Sequence, residues 1–388
     1  MESLDRRIIL EHIQGRRIHI AGSADISLDP ELLEFTQNMI RNFALTILHK
    51  GGGFVVTIGD DPINKKNSKL PIIFDWTILE TLEKCQLENS ISWPDGQGAT
   101  VVAVGLPKWR EKIPENRLPL WDQLSSSKYL ELVQVRSELG VGGILREKQA
   151  EYGDILVTLG GGPGVSHLAE LYFSLKRPVI PLDIPLKGDK VSASEFLYQK
   201  AMEDPKLFID CKSEGDVTRL LSRISYKNNL DIKEYTKRVV DILSLLEKPK
   251  AFFIRLINKD VPEFEVVENY FRNVVDEVIE LCGYERFESG LDTSKEPFLN
   301  LAIFLNLHYS SLVIADLTGV RPNCCLELGY ALGQKKKFIL MALKGTKLPF
   351  DTKMISCHFW SAEMSDDDRK RELIAFMEKN IDRKPIIV

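Results

Sequence analysis

The sequence predicts an α/β protein built from two Rossmann-like or flavodoxin-like domains, each a mainly parallel sheet with helices on both faces. Short apolar segments rich in Val and Ile alternate with longer helical stretches along the 388 residues. Strands separated by helices usually run parallel, with both faces covered. The alternation restarts just after residue 248, and the length suffices for two domains. We therefore predict domains over residues 1–248 and 249–388.

In the first half, apolar segments followed by turn residues predict five strands. A helix is expected between the first two strands and is ended by three glycines at residues 51–53. Residues 107–128 contain three prolines and are expected to be an irregular loop, which either contacts a ligand or is a simple insertion. The five strands are expected at residues 17–22, 54–59, 100–105, 154–159 and 178–182.

In the second half, the same alternation predicts three strands and three helices. The strands are expected at residues 251–257, 311–315 and 338–343, and the helices at 261–282, 294–308 and 323–334. A further strand is expected to end near residue 292, between the first two of these helices.

Turns of small residues follow three predicted strands of the first half. In the third turn, Gly160-Gly161-Gly162-Pro163-Gly164 leads directly into a helical segment. Backbone N–H groups and a helix dipole at such a turn can hold a phosphate, although a tight turn without a ligand is the alternative. The predicted nucleotide-binding residues are Gly22, Ser23, Gly59, Asp60, Gly161, Gly162, Gly164, Val165 and Ser166.

The segment TLGGGPGVSHLAE (158–170) and these turns resemble the SLOG superfamily over roughly residues 10–225. Enzymatic members, the Lonely Guy hydrolases, carry a GGxGTxxE pattern whose acid helps to cleave an N-glycosidic bond. Here Val165 replaces the threonine, and Glu170 is displaced along the helix. The resemblance therefore implies a domain that senses a nucleotide signal, with phosphoribohydrolase activity as the weakest alternative.

The segment ADLTGVRPNCCLELGYALG (315–333) places an acid in a helix that follows a buried strand. Asp316 ends the strand, Asn323 is a candidate helix cap, and Glu327 lies one turn further on. In open α/β sheets, ligands bind outside the carboxyl ends of the strands. A carboxylate there can stabilise the oxocarbenium character of a ribose during N-glycosidic cleavage, or attack it. A structural first-turn glutamate is the alternative.

This pattern resembles prokaryotic TIR-like domains and nucleoside 2-deoxyribosyltransferases over about residues 250–388. The resemblance implies that Glu327 is the catalytic carboxylate. Asn323 is expected to orient Glu327 or to contact the sugar, and Asp316 is expected either to bind ribose hydroxyls or to cap the following turn. Arg255, Asp292 and Tyr330 are candidate substrate-binding residues; for Arg255 a structural ion pair is the alternative.

Together the two resemblances predict a signal-gated NAD glycohydrolase of antiviral defence that forms homo-oligomers. NAD is then the substrate, and no separate cofactor or metal is expected. The first alternative is a deoxyribosyltransferase or nucleotide N-glycosidase, and the second is a non-catalytic nucleotide-binding scaffold.

The formal net charge of −5 argues against a nucleic-acid partner. The chain contains no apolar segment of membrane-spanning length and no metal-ligand spacing among its six cysteines, so we expect a cytoplasmic protein.

Overall fold

The computed structural model describes residues 12–67, 69–135, 141–209, 214–228, 230–243, 245–288, 299–349, 352 and 355–382. The chain divides into two compact units. Unit 1 comprises Met1–Trp93 and Ala99–Glu247, and unit 2 comprises Pro94–Gly98 and Lys248–Val388. Within the described residues, no helix has the length and apolarity needed to cross a membrane.

Unit 1 is built on a six-stranded sheet in which every neighbouring pair of strands is parallel. The strand order is β4-β3-β2-β1-β5-β6. The order reverses direction at β1, so a crevice opens beyond the carboxyl ends of β1 and β5, where ligands bind in doubly wound folds. The strands are β1 (Arg17–Ser23), β2 (Gly53–Ile58), β3 (Val101–Gly105), β4 (Leu130–Gln134), β5 (Ile155–Gly160) and β6 (Val179–Leu182).

The helices of unit 1 cover its sheet and begin at recognisable capping signals. Proline occupies the first turn of the helices that start at Pro30 and Pro163, and Ser192 with Glu195 forms a capping box. The helices are α1 (Pro30–His49), α2 (Asp75–Leu87), α3 (Trp109–Lys112), α4 (Leu118–Ser125), α5 (Val141–Tyr152), α6 (Pro163–Ser174), α7 (Ala193–Glu203), α8 (Pro205–Phe208), α9 (Glu214–Arg223) and α10 (Ile232–Leu243), with a 3₁₀ turn at Glu115–Arg117.

The prediction of an irregular loop over residues 107–128 is wrong. This segment forms α3, the 3₁₀ turn and α4, and its two tryptophans pack edge to face with ring centroids 4.9 Å apart. Trp121 is only 1% exposed. Burial of this aromatic pair stabilises short helices that the prolines alone would not suggest.

Unit 2 is built on a five-stranded parallel sheet in the order β11-β10-β9-β7-β8. This is the flavodoxin-like order, and its switch point lies between β7 and β9. The strands are β7 (Lys250–Ile254), β8 (Glu285–Glu288), β9 (Leu312–Asp316), β10 (Phe338–Leu343) and β11 (Cys357–Trp360). The two parallel sheets with helices on both faces confirm the predicted fold class.

Both faces of the unit 2 sheet carry a hydrophobic core. Phe253 and Ile314 belong to one buried cluster, whereas their neighbours Phe252 and Val313 belong to the other, as the alternation of a strand requires. The helices are α11 (Phe264–Tyr270), α12 (Asp276–Leu281), α13 (Leu299–Tyr309), α14 (Pro322–Gly333) and α15 (Asp366–Asn380). A π-helical turn (Phe271–Val275) joins α11 to α12, so the single helix predicted there is divided.

Candidate functional site

Glu327 lies on α14, the helix that follows β9 at the carboxyl edge of the unit 2 sheet. Its side chain is half-buried, and burial raises the pKa of the carboxyl from 4.5 to about 7. Among the described residues the carboxylate has no hydrogen-bond or ion-pair partner. A half-buried, unpaired acid in this position is the kind of perturbed group that clusters at functional sites.

Asp316, at the end of β9, is fully buried. Its carboxylate accepts hydrogen bonds from the Thr318 backbone N–H at 2.9 Å and from the Trp360 indole N–H at 2.8 Å. Burial is the largest influence on the Asp316 carboxyl and raises its pKa. These contacts give Asp316 a role in fixing the loop between β9 and α14, the loop that leads to Glu327.

Two predicted neighbours of Glu327 are on the same helix but in different surroundings. Asn323 is exposed in the first turn, one helical turn before Glu327. The prediction that Asn323 caps the helix is wrong, because α14 begins earlier and Arg321 occupies the N-cap position. Tyr330 packs against α13, with its ring centroid 4.9 Å from that of Phe304 and its hydroxyl 3.4 Å from Nδ1 of His308.

Arg255 follows β7 directly, beside the switch point. Its side chain is 5% exposed, and one terminal nitrogen lies 2.6 Å from a Glu268 carboxylate oxygen. The guanidinium carbon also stands 5.0 Å from the centroid of the Phe271 ring. The structure thus shows the ion pair that the sequence left open as the alternative to phosphate binding. The other candidate, Asp292, lies outside the described residues.

Cys324 is buried near the two acids of this site. Burial, followed by the negative charges of Glu327 and Asp316, raises the pKa of the Cys324 thiol to about 12. A thiol in this state is a poor nucleophile at neutral pH. Two residues that sequence reasoning passed over, Arg321 and Trp360, also belong to this part of unit 2.

In unit 1, three glycines at the crevice between β1 and β5 (Gly22, Gly160 and Gly161) have a backbone or a close contact that disfavours any side chain. A Cβ added to Gly22 would lie 1.6 Å from the carbonyl oxygen of Leu159, its neighbour across the sheet. Gly160 and Gly161 have positive φ angles of 58° and 72°. The Gly161 N–H donates to the Ser23 carbonyl oxygen at 2.9 Å, which joins two of the three predicted turns.

Cationic side chains flank this crevice. Lys187 Nζ lies 3.4 Å from the Ser23 hydroxyl, and a guanidinium nitrogen of Arg146 comes within 3.2 Å of the position that a Gly164 Cβ would take. Arg146 Nε donates to Nδ1 of His167 at 2.8 Å. Neither basic residue was predicted; each is separated in sequence from the glycines that it approaches.

The other predicted residues of unit 1 differ in accessibility. Gly162 precedes α6 as its N-cap, and Ser166 is half-buried in the first turns of that helix. Val165 is 8% exposed and packs in the core, and its N–H donates to the Gly162 carbonyl oxygen at 2.9 Å. Gly59 is half-buried after β2, and Asp60 is exposed.

Comparison with known proteins places unit 1 in a family. Two curated proteins from Escherichia coli, one of them from strain KTE188, are named ATP nucleosidase Cap17 and are 22% identical to this chain over 336 residues. The alignment covers 83% of this chain and 65% of each relative, so the chain spans about two thirds of their length.

Among solved structures, DNA processing protein A from Helicobacter pylori aligns with a TM-score of 0.33 and 12% identity, over 56% of this chain and 84% of that one. So loose an alignment identifies no common fold.

Residues 13–243, more than half of the chain, match the family model described as ATP nucleosidase Cap17-like, N-terminal. The chain therefore belongs to this Cap17-like family.

Proposed function

We propose that unit 2 is an N-glycosidase that cleaves the nicotinamide–ribose bond of NAD, with Glu327 as the catalytic carboxylate. The observation that carries the proposal is the unpaired, half-buried Glu327 carboxyl, with its pKa raised to about 7, on the helix that follows β9, one of the two strands at the switch point of the unit 2 sheet. The resemblance of residues 315–333 to TIR-like domains and deoxyribosyltransferases supports the same assignment. NAD serves as substrate, with no further cofactor.

The chemistry requires an anion near the ribose. As the N-glycosidic bond breaks, positive charge develops on C1′ and the ring oxygen, and an ionised Glu327 stabilises that charge or bonds to C1′. Burial strengthens this interaction because the local dielectric constant is low. Asn323, exposed one turn earlier, orients the glutamate or contacts a ribose hydroxyl. Asp316 acts indirectly by holding the loop before α14.

The leaving group favours NAD over a neutral nucleoside. Nicotinamide leaves NAD from a cationic state, so its departure needs no proton donor, whereas adenine leaves more readily when it is protonated. Burial alone raises the pKa of Glu327. We therefore assign Glu327 to the ribose, and NAD is the substrate that needs no second group to protonate the departing base.

ATP is the second candidate substrate, because the curated relatives are named ATP nucleosidases. In that reaction Glu327 would stabilise the ribose in the same way, and free adenine would be the product. A deoxyribosyltransferase reaction on nucleosides and a non-catalytic scaffold are the remaining alternatives.

Unit 1 is the proposed sensor of a nucleotide-derived signal. The glycine-lined crevice between β1 and β5, with Lys187 and Arg146 beside it, suits a phosphate-bearing ligand. We expect the signal to switch on the glycosidase during antiviral defence, with homo-oligomers as the active form. NAD depletion is toxic to the host cell, and a gate of this kind would restrict it to infection.

Product analysis tests the proposal. The purified chain is incubated with NAD, ATP or deoxynucleosides, with and without cyclic nucleotides and cyclic ADP-ribose-type compounds, and products are separated by chromatography. Nicotinamide with ADP-ribose supports the proposal, and free adenine from ATP would establish the second candidate. Base exchange between deoxynucleosides would favour the transferase alternative. Binding of a nucleotide without cleavage of any substrate would favour the scaffold.

A further inference from the structure

Arg321 lies at the start of α14, and its guanidinium has no hydrogen-bond or ion-pair partner among the described residues. It is the N-cap residue of the helix and is half-buried. Its Nε is buried without a hydrogen-bond partner in the described chain. Arg255, the other arginine at this edge of the sheet, is already paired with Glu268. A buried donor without an acceptor is costly, so native proteins rarely leave one unused.

The backbone before Arg321 is held in an unfavourable conformation. Val320 has a φ angle of 45°, in the left-handed region that a β-branched residue rarely adopts, and it follows Gly319 at 74°. The Val320 N–H donates to the Leu317 carbonyl oxygen at 2.9 Å, which closes the turn. Strain of this kind persists where the surrounding structure imposes it, and it clusters at ligand-binding sites.

The turn directs the Arg321 guanidinium back over Gly319. A Cβ added to Gly319 would lie 3.7 Å from Arg321 Nε and 3.9 Å from a Glu263 carboxylate oxygen. Arg321 precedes Glu327 by six residues, which is about 9 Å along a helix axis and about 120° around it. Both residues are half-buried in the N-terminal half of α14, and the N terminus of the helix adds partial positive charge beside Arg321.

We infer that Arg321 binds the 5′-phosphate of the substrate whose ribose Glu327 attacks. The inference rests on the proposed function and deepens it, because it restricts the substrate class to nucleotides and excludes unphosphorylated nucleosides. Arg321 is then a specificity-determining residue: its fork of N–H donors matches phosphate oxygens, and binding gives Nε an acceptor.

The test compares nicotinamide mononucleotide with nicotinamide riboside, which differ only in the phosphate. Binding of both is measured by calorimetry on the full chain carrying Glu327→Gln, which prevents turnover, with and without Arg321→Gln. Binding at unit 1 is common to both proteins and cancels in the comparison. We expect Arg321→Gln to weaken mononucleotide binding about 10- to 100-fold and to leave riboside binding unchanged.

Three controls make the result decisive. Arg321→Lys keeps the charge and should restore part of the affinity, whereas Arg371→Gln, an exposed arginine on α15, should change nothing. Thermal melting shows whether each variant folds.

Equal preference for the mononucleotide with and without Arg321 would overturn this inference but would not affect the proposed glycosidase function. If the Glu327→Gln chain with Arg321 intact binds the riboside as tightly as the mononucleotide, the inference fails, since no phosphate is recognised. Absence of both binding and cleavage of any nucleotide by the unmutated chain would remove the proposed function as well.

Discussion

The Asp316 carboxylate accepts a hydrogen bond from the Trp360 indole N–H at 2.8 Å, and both side chains are fully buried. This bond joins the carboxyl end of β9 to the end of β11, two strands that are not neighbours in the sheet. Trp360 in turn stacks on Tyr270, with ring centroids 4.0 Å apart. The loop that leads to Glu327 is therefore anchored in the core of unit 2.

Replacing Trp360 with Phe should destabilise the protein more than loss of ring volume alone predicts. One oxygen of a buried carboxylate loses its donor, which typically costs about 1–3 kcal/mol. Trp76→Phe is the matched control, because Trp76 is equally buried and its indole nitrogen has no partner among the described residues. Urea denaturation followed by circular dichroism measures both. Equal losses in the two variants would mean that the Asp316–Trp360 bond contributes nothing.

Glu327→Gln should stabilise the protein, and the gain should depend on pH. The carboxyl pKa is about 7 in the folded chain and 4.5 ordinarily, so the folded state holds the proton more tightly. Near pH 5 the cost of burying the charge is small; it grows as pH rises and is complete above about pH 7. Gln carries no charge and avoids this cost.

Thermal melting at pH 5 and pH 8 measures the difference, with the exposed Glu363→Gln as control. We expect Glu327→Gln to raise the melting temperature at pH 8 and to leave it nearly unchanged at pH 5. A gain of the same size at both pH values would show that the Glu327 carboxyl is not perturbed by burial.

The rate of NAD cleavage should fall on the acid side of about pH 7. The reaction needs an ionised Glu327, and the pKa of its carboxyl in the free protein is about 7. Each pH unit below that value should therefore lower kcat/KM about tenfold. Initial rates of nicotinamide release between pH 5 and pH 9 measure this limb. A flat profile down to pH 5 would assign the rate to a different group.

Gly22→Ala should disrupt unit 1, whereas Gly59→Ala should be tolerated. An added Cβ at Gly22 collides with the Leu159 carbonyl oxygen, but one at Gly59 meets no atom of the described residues within 4 Å. We expect a loss of about 3 kcal/mol or more for the first variant and less than about 0.5 kcal/mol for the second. Chemical denaturation of both variants decides the matter. Similar stabilities would contradict the close approach of β1 and β5.

The sequence allowed the fold class and the strands that precede both candidate sites to be predicted. The apolar strand that ends at Asp316, followed by a turn and a helix, places Glu327 at the carboxyl edge of a sheet by periodicity alone. β4 and β11 were not predicted, because their sequences (LELVQ and CHFW) interrupt the apolar residues with polar ones and their existence depends on pairing with neighbouring strands. The hydrogen bond from Trp360 to Asp316 and the N-cap position of Arg321 were also missed. The first depends on a tertiary contact that leaves no local pattern, and the second depends on the residue at which α14 begins.

In residues 107–128, tertiary packing produced helices where the local sequence predicted a loop. Prolines and serines indicated a loop, yet the packing of Trp109 against Trp121 holds the segment in helical turns. Arg146 and Lys187 likewise approach the glycine crevice through folding rather than through sequence proximity. The glycine turns could be recognised in the sequence, but the two basic residues beside them could be identified only in the structure.

The most direct test of the central claim is nicotinamide release from NAD by the full chain and by its Glu327→Gln variant. Both are assayed with the cyclic nucleotides and cyclic ADP-ribose-type compounds of the product analysis, and also at high protein concentration without them. Glu363→Gln serves as the control for a lost surface charge. We expect release by the unmutated chain and by the control, and a loss of at least about 100-fold in the Glu327→Gln variant. Undiminished release from that variant would contradict the assignment of Glu327 as the catalytic carboxylate.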